Sequence, residues 1–153
     1  MRIKKKNLEI KVIQIGILAY WFLFWLLNVV DKFIGKSTFL WVGKDRFSQL
    51  VNYFASIGIE NETIPYITLV FSTILEIIAL LLLTFALFKY LSGHYQKARD
   101  IFFWGTFVGL AIFSFFSIGD QVFGDRVELL EHTTYWIALI ISWGAYVYFP
   151  KHL

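Results

Sequence analysis

The sequence predicts an all-α membrane protein, a four-transmembrane-helix bundle with an outer amphipathic helix between spans 1 and 2. Four runs of mostly apolar residues approach or exceed the roughly 20 residues a helix needs to cross a hydrocarbon core. Hydrophobic residues make up 58% of the 153 and charged residues 16%, whereas soluble domains carry roughly 45–50% and about 25%. The lysines and arginines also divide unequally between the two sides of those runs. Residues 1–153 read as a single transmembrane domain.

Span 1 covers about residues 12–30 (VIQIGILAYWFLFWLLNVV). Arg2, Lys4, Lys5 and Lys6 before it resemble the basic start of a signal peptide, but signal h-regions run only about 7–15 residues and end in a small-x-small cleavage site. This run is longer and ends Asn28-Val29-Val30-Asp31-Lys32, so an anchored helix is expected. The segment from Asp31 to Thr63 is too long for a bare connection. Within it Phe47, Leu50, Val51, Phe54 and Ile57 recur at helical spacing, with Lys44, Asp45, Ser48, Gln49 and Asn52 on the other face. That pattern predicts an amphipathic helix over about 44–57, on the outer face of the membrane or over the bundle mouth. Gly58 stands where a helix C-terminus favours a left-handed residue. Span 2, about 64–88, is long enough to tilt, and Pro65 falls in its first turn, where a missing N–H costs little. Spans 3 and 4 cover about 101–118 and 133–149, joined by an outer loop over 119–132.

Orientation follows from the basic residues. Arg2, Lys4, Lys5, Lys6, Lys11, Lys89, Lys97, Arg99 and Lys151 share one side, nine in all, against five (Lys32, Lys36, Lys44, Arg46 and Arg126) on the other. Positive charge favours the cytoplasm, so both termini are expected there, in a multi-pass protein of a bacterial inner membrane. The net charge of +3 includes no basic stripe that would suggest nucleic acid. The absence of cysteine excludes disulfides, thiolate nucleophiles, cysteine-ligated zinc, iron–sulfur clusters and thiol oxidoreductase chemistry.

Lipid supplies no hydrophobic drive between helices, so small residues mark close contacts. Gly105 and Gly109 share a face of span 3, Ala138, Ser142 and Ala145 a face of span 4, and Thr68, Ser72, Glu76 and Ala79 a face of span 2; these faces are expected to point inward.

Glu76 stands out as an acid well inside a span, which is costly unless it faces the bundle, is paired or is protonated. Tyr20 and Ser142 lie at similar depth and are candidate partners, so Glu76 is read as a ligand-binding group or as a polar strut between helices. A second cluster gathers at the outer mouth: Asn28, Asp31 and Lys32 after span 1, with Asp120, Arg126, Glu128 and His132 in the 119–132 loop. Glu128 and His132 share a helical face, but the pattern is not the Glu-x-x-His of di-iron bundles, and no metal is assigned. The cluster reads either as a solvated loop or as a headgroup or substrate site. Trp21 and Trp25 share one face and either line a flat-ring pocket, such as one for a quinone, or pack against lipid.

From Asp31 to Leu83 the chain resembles the DoxX-like family of four-helix integral membrane proteins. The likeness lies in Asp31-Lys32-Phe33 closing span 1, the outer segment ending Phe54-Ala55-Ser56-Ile57-Gly58-Ile59, then Pro65, and Glu76-Ile77-Ile78-Ala79 opening a leucine run to Leu83. The family usually has glycines after its glutamate and often an arginine after the second span, where this chain has Ile77, Ile78, Ala79 and Lys89. The resemblance implies an accessory subunit of a redox or membrane-assembly system, with a quinone or lipid site at Glu76. Its partners would be the lipid bilayer and other membrane or envelope proteins. No complete nucleophile, metal or cofactor constellation points to an enzyme acting alone. The alternatives are a small transporter or proton-linked channel using Glu76 as carrier carboxylate, and a structural subunit of a larger complex.

Overall fold

The computed structural model describes residues 2–34 and 43–148, with side chains from Leu8 onward. Lys36, Lys151 and the expected end of span 4 at Phe149 lie outside the described residues, as do the side chains of Arg2, Lys4, Lys5 and Lys6. Among the described residues five helices follow in order: α1 (Arg2–Ile34), α2 (Arg46–Ser56), α3 (Thr63–Leu91), α4 (Tyr95–Phe123) and α5 (Arg126–Tyr148). Leu8–Ile34, Thr63–Leu91 and Tyr95–Phe123 are each long and apolar enough to cross a membrane. Their outward faces carry Leu23, Leu27, Phe71, Leu81, Phe85, Phe103 and Phe107, all at least two-fifths exposed. This is the helical architecture of a multi-pass membrane protein.

The helices run past the apolar runs that announced them. Hydropathy marks where a helix can meet lipid, whereas the backbone ladder continues until a residue breaks it. The expected 119–132 loop is therefore corrected to a two-residue turn. α4 continues through Phe123, Gly124 takes the left-handed conformation (φ 78°) and α5 begins at Arg126. Asp125 caps α5, its Oδ1 accepting from the Val127 and Glu128 amides at 3.0 Å each. The α3–α4 turn has three residues, with Gly93 at φ 80°.

α3 packs along α4, α4 along α5, and α1 along α3, while α1 and α5 touch only lightly. The close approaches depend on glycine. A Cβ on Gly105 would stand 3.0 Å from Leu83 Cδ2, and one on Gly109 would stand 2.7 Å from Leu139 Cδ2 and 3.3 Å from Trp25. The expected inward faces of α3 and α4 are thus inward. Trp21 and Trp25 are fully buried among Leu18, Phe24 and Phe113, and Trp25 stacks on Phe113 with ring centroids 5.3 Å apart. They face the core, not lipid. At the opposite end from α2, the Tyr90 hydroxyl donates to Gln14 Oε1 at 2.7 Å and Gln14 Nε2 donates to the Tyr146 carbonyl at 3.0 Å, tying α1, α3 and α5 together.

Candidate functional site: a chamber beneath α2

The helix expected over about 44–57 forms as α2, capped by Asp45, whose carboxylate accepts from the Ser48 amide at 3.1 Å. It packs on α3 and α4 with its apolar face, leaving Ser48 and Asn52 exposed. Gln49 departs from its expected place on the solvent face: it turns inward, because a buried carboxylate there offers it a partner.

Between α2 and the ends of the long helices lies a cavity of about 410 Å³. Its size falls within the range typical of small-molecule sites. Its lining is partly polar. Lys32 Nζ meets Glu76 Oε2 at 2.5 Å, with side chains 12% and 2% exposed. Across the cavity Glu128 Oε1 accepts from Lys44 at 2.7 Å, Gln49 at 3.2 Å and Arg46 at 3.5 Å. His132 Nδ1 pairs with Asp120 Oδ2 at 2.6 Å, and its Nε2 stands 3.9 Å from Glu128 Oε2. Apolar side chains complete the lining: Leu50 and Phe54 of α2, Leu69 of α3, and Phe115, Phe116 and Phe123 of α4. Ile57, Ile118 and Val122 also line it while being 44%, 66% and 59% exposed, so the chamber is open to the outside at the end of α2 and along α4.

Two features hold α2 over the chamber. Tyr53 stacks on Phe123 at 5.1 Å, and its hydroxyl donates to Asp125 Oδ2 at 2.6 Å. That bond holds the Asp125 carboxyl below the usual range, helped by the amides it caps; burial and the Asp125 bond push the Tyr53 phenol well above its ordinary value. Burial alone would raise the Glu128 carboxyl, but the hydrogen bonds from Lys44 and Gln49 and the charge of Arg46 outweigh it and hold the group low.

The two clusters read separately from the sequence are one site. Glu76, Asn28, Lys32, Asp120, Glu128 and His132 all line the chamber. Asp31 adjoins it, 4.0 Å from Arg46 Nε. Arg126 does not belong: it is exposed and donates to Gln121 at 2.6 Å. The expected partners of Glu76 are also corrected. Tyr20 is 53% exposed and Ser142 is half-buried, and neither lines the chamber, nor do Trp21 and Trp25. Arg46, Gln49 and Tyr53 went unassigned as site residues in the sequence, although the cap at Asp45 and the helical spacing of α2 put 46, 49, 50 and 53 on one face.

Donor atoms of Asp120, Glu128 and His132 lie within 4.8 Å of one another, close enough for a shared divalent cation. Lys44 and Arg46 already occupy Glu128, so a cation there would meet two positive charges. The arrangement is an ion-pair network first. No family model matches this chain, and neither a curated protein nor a solved structure matches it.

Proposed function

We propose that this protein is a four-span membrane protein with cytoplasmic termini and α2 on the outer face, and that its chamber binds a neutral amphipathic ring compound of the quinone class drawn sideways from the bilayer. In this reading it serves as an accessory subunit of a redox or membrane-assembly system, similar to DoxX-like proteins, in a bacterial inner membrane alongside other membrane or envelope proteins.

The observation that carries the reading is the mixed lining of the chamber. Four phenylalanine rings and aliphatic side chains share it with hydrogen-bonding groups. Its charges are paired: Lys32 with Glu76, Lys44 and Arg46 with Glu128, and Asp120 with His132. With its lining cations already paired and its carboxylates the more numerous, the chamber favours a neutral polar head over an anionic phospholipid. The opening along α4 lies among exposed apolar residues of that helix, which is long and apolar enough to span a membrane. A lipid-soluble ligand would leave its tail there.

The test is photolabelling of the purified chain in nanodiscs with an azidoquinone. Saturable labelling of residues 46–57 or 115–123, displaced by unlabelled decylubiquinone and lost in Phe123→Ala, supports the reading. Labelling that is unsaturable and spread over the lipid-facing surface of all helices overturns it.

A further inference from the structure

We propose that His132 makes the chamber selective for redox form: neutral, it favours the hydroxyl-bearing hydroquinone, and protonated, it favours the carbonyl-bearing quinone. The inference rests on the ring-ligand reading above and extends it to the chemistry of the ligand's polar atoms.

The argument begins at the other ring nitrogen. His132 Nδ1 is 2.6 Å from Asp120 Oδ2; with Asp120 ionised, that oxygen can only accept, and Nδ1 then carries the hydrogen. That fixes the tautomer and leaves a lone pair on Nε2. Glu128 Oε2 stands 3.9 Å from it, beyond hydrogen-bond range, and an ionised carboxylate could not donate to it in any case. Among the described residues nothing donates to Nε2, and His132 lines the chamber. The imidazole is held in place by Phe113 and Phe116, whose ring centroids lie 6.4 and 5.0 Å away.

The surrounding charges are otherwise engaged. From α1 and α3, Lys32 and Glu76 satisfy each other; from α2 and the residues before it, Lys44, Arg46 and Gln49 converge on Glu128 Oε1; Asp31 adjoins Arg46. Asp120 from α4 is the partner of Nδ1. A ligand hydroxyl placed against Nε2 therefore gains an acceptor that the protein leaves open. Protonation turns Nε2 into a donor, which suits a carbonyl oxygen, whereas a hydroxyl can rotate to accept but is the weaker acceptor and loses the partner its hydrogen had on neutral Nε2. By linkage, hydroquinone binding expels a proton from His132 and quinone binding takes one up.

The experiment is calorimetric binding of decylubiquinol and decylubiquinone to the full chain in nanodiscs, without oxygen, at about pH 5.5 and 8, the interval where histidines change charge. The ratio of hydroquinone to quinone affinity should rise on the order of tenfold from the lower to the higher pH. His132→Gln, whose amide both donates and accepts, should bind both forms with a ratio that no longer depends on pH. Asp120→Asn tests the positioning role and should reduce the pH dependence of that ratio. Repeating the wild-type titration in buffers of different ionisation enthalpy reads proton release with the hydroquinone and uptake with the quinone, and needs no variant. A pH-independent wild-type ratio, or an unchanged pH dependence in His132→Gln, overturns the inference while leaving the ring-ligand reading standing. No binding of either form by the wild type overturns both.

Discussion

Lys32 Nζ lies 2.5 Å from Glu76 Oε2, so a cation at the end of α1 neutralises a carboxylate in the middle of α3 across 44 positions of sequence. The pair lines the chamber and joins α1 and α3 at the α2 end, as the Tyr90–Gln14 hydrogen bond joins them at the other. A buried pair of this kind adds little net stability over a hydrophobic replacement, yet breaking it from one side is costly.

Glu76→Gln and Lys32→Met should each destabilise the protein, by about 3–5 kcal/mol for whichever charge is left uncompensated. The double variant Lys32→Met with Glu76→Leu should recover most of that loss. Thermal unfolding in detergent checks this. Single-variant losses that simply add in the double variant would show that the two side chains are not energetically coupled.

Gly109 should tolerate no side chain, because a Cβ there would stand 2.7 Å from Leu139 and 3.3 Å from the Trp25 ring. Gly109→Ala is expected to lower stability by about 1–3 kcal/mol, the usual cost of overpacking. Gly144 is the control: a Cβ there would meet nothing within 4 Å, and Gly144→Ala should be neutral or slightly stabilising. Equal melting temperatures for the two variants would contradict the packing described.

Acid should loosen α2. The folded Glu128 carboxyl is held below its ordinary value, so its contribution is complete above the normal carboxylate range and is lost as pH falls through the depressed value. Losing that charge frees Lys44, Arg46 and Gln49 together. A spin label at Ser48→Cys, in a chain with no other cysteine, should become more mobile on acidification. In Glu128→Gln the label should already be mobile at neutral pH; a label equally immobile in that variant would mean that the apolar face alone seats α2.

Reporter fusions should read cytoplasmic at Lys97 and at the C-terminus and external at Gly124. Lys97 lies just inside α4, and Gly124 forms the turn at its other end, so the two fusions sample opposite ends of one helix. The same compartment at both would mean that α4 does not span the membrane.

The sequence by itself determined the all-helical character, the apolar runs that became α1, α3 and α4, the two faces of α2 and the anomaly of a carboxylate at Glu76. Each of these is a matter of period, length or composition along one stretch of chain, which needs no knowledge of neighbours. It also marked Asn28, Lys32, Asp120, Glu128 and His132 as polar groups near one end of the bundle. Only the tertiary structure decided that these groups and Glu76 share one chamber, that Lys32 rather than Tyr20 or Ser142 meets Glu76, and that Gln49 turns inward while Arg126 turns out. The physical reason is that helical spacing assigns a residue to a face but leaves open how far one helix slides along the next and how it is rotated. Partners such as Lys32 and Glu76, or Gln49 and Glu128, are set by those offsets between helices. The helix ends were hidden for a related reason: α4 stops at Gly124, where the backbone turns left-handed, and not where its apolar residues thin out.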